Sequence, residues 1–196
     1  MARITLLEPE QLDREIAEMT DAGQRAPLEL GTVRIYGHRP EAAKAYLRFA
    51  GTLRNAGLLP RRLIELVRLR VAYHNQCRSC MAIRYQDGID EGVDEQLICQ
   101  LVDPPSASDL SDQEKAAIRF ADLLATNHLA ISDETIADLS EHFSEPEIVE
   151  LGMNVATFVG FGRLAMAWDM VDELPEEYRD RSGAKITPWS GDPVVV

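Results

Sequence analysis

The stretch RVAYHNQCRSCMAIRYQDG, residues 70–88, carries the densest chemistry in the chain. Cys77 and Cys80 stand three apart, His74 stands three before the first, and Arg84 stands four after the second. On a helix, residues i and i+3 share a face, and their Cα atoms then fall within reach of a disulfide. Asn75 suits a helix N-cap, which puts Cys77 in the first turn, where free backbone N–H groups and the macrodipole favour an anion. A thiolate rather than a thiol is the nucleophile, and Arg78 adds positive charge beside the pair. This argument makes Cys77 the more acidic thiol. The bland alternative is a pair of small core residues, because free cysteine packs well; spacing and cap position favour a reversible redox pair.

Zinc competes for the same residues. His74, Cys77 and Cys80 offer three soft ligands, but a structural site usually wants four, often as two separated pairs. His38, His128, His142 and Cys99 supply no second pair, so no metal and no cofactor are expected; a three-ligand catalytic site would require His74 to turn back onto the helix. Glu65, in the apolar LIELVRLRVA, can serve as a base toward a cysteine. Twelve residues of unbroken helix would hold it about 18 Å from Cys77, so contact requires a break, for which HNQ (74–76) is the candidate. The alternative for Glu65 is an ion pair with Arg61 or Arg68 on a solvated face. Arg84 cannot accept a proton, yet it can stabilise a Cys80 thiolate or bind a carboxylate or peroxide oxygen. His74 is a candidate base or else a loop histidine. Cys99 reads as core, His128 and His142 as helix-terminal residues, Asn154 and Arg163 as pocket or interface residues, and Tyr73 and Tyr85 as pocket walls.

The elements that must hold these residues are helical. Apolar residues recur at helical spacing in 8–23, with Gly23 as a stop, while 24–39 reads as loop. Segment 40–57 opens on Pro40 and ends in Gly57. Helices follow at 60–74, 77–88 and 94–103, the last closed by Pro104 and Pro105. Ser111 with Glu114 forms a capping box for 111–129, and Ser132 opens 132–143. The helix 144–170 is nearly continuously apolar from Val155 to Met170, which predicts burial in the core or between subunits. No run alternates with period two, so the expectation is an all-α fold of about eight helices in a single domain, 1–196. Residues 174–196 should run as an extended tail, pinned by Trp189.

Charge excludes some functions. The chain has 33 acidic and 20 basic residues, a net charge of -13, and such a surface repels phosphate backbones, so no nucleic-acid partner is expected. No wholly apolar run approaches the roughly 20 residues of a membrane span. The N-terminus turns acidic where a signal peptide stays apolar, so a cytoplasmic protein without a membrane partner is expected. In that compartment a close cysteine pair is redox-active, catalytic or metal-binding rather than structural.

The pattern Glu65-x(3)-Leu69-Arg70-x-Ala72-x(4)-Cys77-x-x-Cys80 resembles the AhpD-like, or carboxymuconolactone decarboxylase-like, superfamily. The order of LPRRLIELVRLRVA, the CxxC helix and ISDETIADLSEHFSEPEIVELGMNVATFVGFGRLA extends the resemblance over roughly residues 40–170. The resemblance implies an all-helical oligomer, a homotrimer or homohexamer, and a peroxidase-type relay. Carried over, Glu65 is the base, Cys80 the peroxidatic thiol and Cys77 the resolving one. This reverses the order of reactivity argued from Cys77's cap position. The family histidine four residues after the second cysteine is here Arg84, which implies weak peroxidase activity, with His74 as a substitute base. The expected function is therefore a thiol-dependent alkylhydroperoxidase or disulfide oxidoreductase, taking a small hydroperoxide and a thiol reductant. One alternative is a lyase or isomerase acting on a small carboxylated aromatic-degradation product. Arg84 as a carboxylate clamp favours it, and the CxxC pair, which decarboxylase-type members generally lack, opposes it. The other is a non-catalytic helical oligomer.

Overall fold

The structure, a computed structural model, describes residues 1–183, 185–188 and 193–196. Eleven α-helices follow one another among them: α1 (Arg14–Thr20), α2 (Pro27–Leu30), α3 (Val33–Tyr36), α4 (Pro40–Asn55), α5 (Arg61–Asn75), α6 (Arg78–Ala82), α7 (Gln86–Asp90), α8 (Glu95–Cys99), α9 (Asp112–Thr126), α10 (Asp133–Ser140) and α11 (Glu145–Trp168). The all-α expectation is met. The higher count comes from helices of four or five residues in segments read as loop or as one longer helix.

The central element is α5. Leu63, Leu66, Val67, Leu69 and Val71 are buried on it, and they pack with Ile98, Ile118, Leu139, Leu151 and Val155 into the main core. Fully burying each such side chain contributes about 1.5–3 kcal/mol. An apolar face that nearly encircles the helix explains why α9 and α11 both pack on it. A second cluster, Leu12, Ile16, Leu30 and Ala43, joins the N-terminal helices. Buried Arg34 ties that region to the end of the chain, donating to Leu7 O, to Glu8 and to both carboxylate oxygens of Glu173.

The stretch 77–88 is not one helix. Ile83 and Arg84 form a short strand, β1, which pairs in parallel with β2, Val194 and Val195. The C-terminal segment forms a 3-10 turn at Glu176–Tyr178 before β2 and is fastened by polar contacts around the cysteines. The Gln76 side chain exchanges two hydrogen bonds with the Ile186 backbone, and Arg84 donates to Pro188 O. Trp189, the anchor expected from sequence, lies outside the described residues.

The helix α11 is only partly covered within the chain. It is long and apolar enough on average to cross a membrane, as the core helix of a soluble protein also can be. Only Leu151, Asn154, Val155, Gly162 and Ala165 are buried on it, whereas Val149, Met153, Leu164 and Met166 are exposed.

Candidate active site

The site begins at a sharp reversal. After Asn75, Gln76 adopts the left-handed conformation, φ 50°, which costs a non-glycine residue roughly 1–2 kcal/mol. The reversal is a Schellman closure: Gln76 N–H donates to Tyr73 O and Cys77 N–H to Ala72 O. The Gln76 amide also bonds Tyr73 O at 2.7 Å and so offsets part of that cost. Asn75 is therefore the last residue of α5 and not the cap of α6; the expected break at HNQ is present. Cys77 is itself the N-cap of α6, and its Sγ accepts from Cys80 N–H at 3.4 Å. The N-cap favours short side-chain acceptors, and here the Cys77 sulfur fills that role.

Cys77 and Cys80 are joined as a disulfide, with Cα atoms 5.2 Å apart. Their surroundings differ. Cys77 is wholly buried, while half-buried Cys80 lines a cavity of about 650 Å³. The cavity is lined from several helices, among them α3 with Tyr36, α4 with Tyr46, α5 with Glu65 and Arg68, α6 with Cys80 and α11 with Phe161. Tyr46 and Phe161 have ring centroids 4.2 Å apart, and Tyr36 meets both edge-on. Burial, with a contribution from Tyr36 and Tyr85, pushes the Tyr46 phenol well above its ordinary range, so Tyr46 is a neutral hydrogen-bonding group at working pH.

Glu65 is buried rather than on a solvated face, and its expected pair with Arg68 is present. Arg68 Nε lies 2.7 Å from Oε2 and Nη2 lies 2.6 Å from Oε1, and Oε1 also accepts from Tyr85 N–H at 3.3 Å. Arg68 donates further to Cys80 O at 2.6 Å and to Ile83 O at 2.8 Å. Burial alone would lower the pKa of this guanidinium; the Glu65 carboxylate outweighs it and raises the value. One buried cation thus connects the carboxylate of α5 to the helix bearing Cys80. A Cβ at Gly88 would stand 2.9 Å from Glu65 Cγ, so only glycine lets α7 approach the pair this closely.

The other two expected site residues stand elsewhere. Arg84 is 1% exposed and does not line the cavity. Its five N–H donors are spent on Glu95, Met81 O, Ile83 O and Pro188 O. With no donor left it can neither clamp a carboxylate nor bind a peroxide oxygen; it caps the carbonyls that end the five-residue α6 and holds the tail. His74 Nε2 lies 2.6 Å from Asp122 Oδ1. Asp122 is also paired with Arg70, at the junction of α5 with α9. Burial raises the Asp122 pKa, but the hydrogen bonds and charges of His74 and Arg70 prevail and lower it. His74 and the cysteines are thus not gathered as ligands would be. Cys99, expected in the core, is exposed.

Asn75 and Gly162 complete the wall behind Cys80. Asn75 Nδ2 donates to Phe158 O and Val159 O, and Oδ1 accepts from Arg163 Nε. A Cβ at Gly162 would fall 2.6 Å from Asn75 Nδ2 and 3.9 Å from Cys80 Sγ. From sequence Arg68 reads only as an ion-pair partner of Glu65 and Asn75 only as a cap, and Gly162 carries no signal. Arg68 had a readable signal in its i+3 spacing from Glu65, whereas Asn75 and Gly162 act across α5 and α11.

Residues 40–123 match the carboxymuconolactone decarboxylase family model. Two uncharacterized proteins of Mycobacterium tuberculosis, from the Oshkosh and H37Rv strains, are each 32% identical over 91 residues, 46% of this chain; the chain's match spans about a third of their length, 32%. Among solved structures, an uncharacterized peroxidase-related protein of Ralstonia eutropha JMP134, described as an alkylhydroperoxidase AhpD core, superposes with a TM-score of 0.72 at 20% identity, covering 91% of this chain and 94% of its own. An uncharacterized peroxidase-related protein of Silicibacter sp. TM1040 gives 0.68 at 20% identity, covering 90% and 95%. The debrominase Bmp8 in complex with 2,3,4-tribromopyrrole gives 0.66 at 18% identity, covering 91% and 96%. The segment similar to the carboxymuconolactone decarboxylase family contains Glu65 and the CxxC motif, and the helical fold is the one shared by these solved structures.

Proposed function

We propose that this protein is a thiol-dependent oxidoreductase that reduces hydroperoxides at the Cys77–Cys80 pair. The observation that carries the reading is the asymmetry of the pair: Cys80 opens on the cavity, and Cys77, already within bonding distance, is sealed behind it. The Cys80 thiolate attacks the distal oxygen of ROOH, the O–O bond breaks, and the alkoxide takes a proton to leave as ROH. Cys77 then attacks the Cys80 sulfenic acid; the S–S bond forms and hydroxide leaves with a proton as water. One hydroperoxide and two protein thiols give one alcohol, one water and one disulfide. A thiol reductant entering through the cavity attacks Cys80 and expels Cys77, whose sulfur has Cys80 N–H as a donor; a stabilised thiolate is the better leaving group. This removes the conflict between acidity and role: Cys77 can be the more stabilised thiolate while Cys80 meets the substrate.

Proton transfer is the weak point. The resemblance assigns Glu65 as base, but both its oxygens are held by Arg68, and Arg84, at the motif position of the family histidine, lies outside the cavity and cannot accept a proton. Slow turnover with efficient disulfide formation is the consequence. A reversible pair of this kind suits the reducing cytoplasm. The lyase alternative loses its support, since Arg84 has no donor to spare. The test is trapping. In Cys77→Ser, one equivalent of cumene hydroperoxide should leave a dimedone adduct on Cys80; its absence there, or an equal adduct in Cys80→Ser, would refute the reading.

A further inference from the structure

Charge must be held on Cys77 whenever the disulfide is opened. A reductant that attacks Cys80 leaves the bond's electron pair on Cys77 Sγ, and Cys77 is wholly buried. A buried anion without donors is costly. Two donors meet this sulfur. Cys80 N–H lies 3.4 Å away, and Ser79 Oγ lies 3.6 Å away. In the disulfide the Cys77 sulfur carries no hydrogen, so the Ser79 hydroxyl donates and the sulfur accepts. Sulfur accepts over longer distances than oxygen. The contact tightens as charge develops, because hydrogen bonds to ionised groups are shorter.

Ser79 also reaches where the backbone donor does not. It stands between the two cysteines, in the first turn of α6 after the Cys77 cap. It is half-buried and lines the cavity on which Cys80 opens. Nearby charged groups are committed elsewhere: Arg68 to Glu65, Arg84 to Glu95, and Arg163 to Asn75 and Ala125 O. A hydroxyl both donates and accepts, so Ser79 can take a proton from Cys77 and give its own to the cavity.

We propose that Ser79 is a catalytic residue of the resolving and reducing steps. In resolution its hydroxyl receives the Cys77 proton as the S–S bond forms. It passes its own proton to the hydroxide leaving Cys80, which departs as water. In reduction by a dithiol, one reductant thiolate attacks Cys80 Sγ and the S–S bond breaks. The electron pair left on Cys77 Sγ is held by Ser79 O–H and Cys80 N–H. The second reductant thiol then displaces Cys80, so the reductant gains a disulfide and the protein two thiols. The resolving role rests on the preceding reading; the reducing role concerns the disulfide alone and needs no peroxide.

The test is reduction of the oxidised full-length protein by dithiothreitol at about pH 9, where thiolates are populated. The cleavage rate and the equilibrium with the reductant are both read. Ser79→Ala should slow cleavage about tenfold, the loss of one hydrogen bond to a charged group. It should also shift the equilibrium about tenfold toward the protein disulfide, a potential about 30 mV more negative. Ser79→Thr keeps a hydroxyl and should stay within about twofold of the parent in both readouts. Ser79→Val matches Ser79→Thr in shape but lacks the hydroxyl, and it should behave as Ser79→Ala. The comparison of these two separates the hydroxyl from packing, and it decides the matter even if Ser79→Ala fails to fold. A parent-like rate and potential in Ser79→Ala or Ser79→Val, or Ser79→Thr as impaired as Ser79→Val, would overturn the proposal. If these shifts appear while sulfenic trapping at Cys80 fails, only the peroxide reading falls.

Discussion

Two buried arginines govern the cysteine helix, and their chemistry is decided by which carbonyls and carboxylates they meet. Arg68 meets Glu65 and the carbonyls of Cys80 and Ile83; Arg84 meets Glu95 and the carbonyls of Met81, Ile83 and Pro188. Arg84→His cannot replace five donors, so it should destabilise the fold by about 2–3 kcal/mol, with half-exposed Glu95 limiting the penalty. Urea unfolding measures this, and a gain in peroxidase activity without loss of stability would contradict it. Asp122 gives a pH signature. Its pKa is lowered in the fold, so its contribution is complete above its unfolded value, near 4, and is lost as pH falls through the lower folded value. Asp122→Asn should therefore lower stability at neutral pH and flatten the acid limb of a stability profile. The candidates Cys77, Cys80 and Glu65 were legible because their types and spacing are local. The misplacement of Arg84 and His74 was not avoidable locally, since Glu95, Pro188 and Asp122 decide where those side chains go.

At the scale of elements, helices with strong caps and long apolar faces were legible: α4, α5, α9, α10 and α11 fall close to their expected ranges. The error lay in 77–88, where chain reversal depends on Gln76 taking a conformation usually left to glycine, and where β1 exists only because β2 pairs with it from the far end of the chain. Packing of α11 on α5 rests on one absent side chain. Gly162→Ala would place its Cβ 2.6 Å from Asn75 Nδ2, forcing the amide off the carbonyls of Phe158 and Val159. The expected cost is about 1–3 kcal/mol, read as a lower urea midpoint. Gly160→Ala, at a glycine with open space around its Cβ, should be neutral or mildly stabilising by helix propensity.

At the scale of the molecule, apolar side chains remain on the outside of α11. Val149 is 55% exposed, Met153 47% and Leu164 42%, on a helix whose partners within the chain cover only its other side. Exposed apolar area of that kind suits a contact between copies of the chain, which we propose here. A homotrimer or a multiple of it is expected by sedimentation at micromolar concentration, with Met153→Glu plus Leu164→Glu shifting the protein toward monomer; a monomeric parent would contradict this. The high apolar content of α11 was legible, but not which side its neighbours cover, because that depends on how α5, α9 and α10 are arranged around it.

The central claim is that Cys80 meets the oxidant and Cys77 completes the disulfide. Fully reduced protein, treated with one equivalent of cumene hydroperoxide and analysed by peptide mass spectrometry, tests it most directly. The expected result is loss of two hydrogens, a Cys77–Cys80 link and free Cys99, with the reaction abolished in Cys80→Ser. Thiols at positions 77 and 80 that stay unlinked while the peroxide persists, or a Cys80→Ser variant that consumes peroxide as fast as the parent, would contradict it.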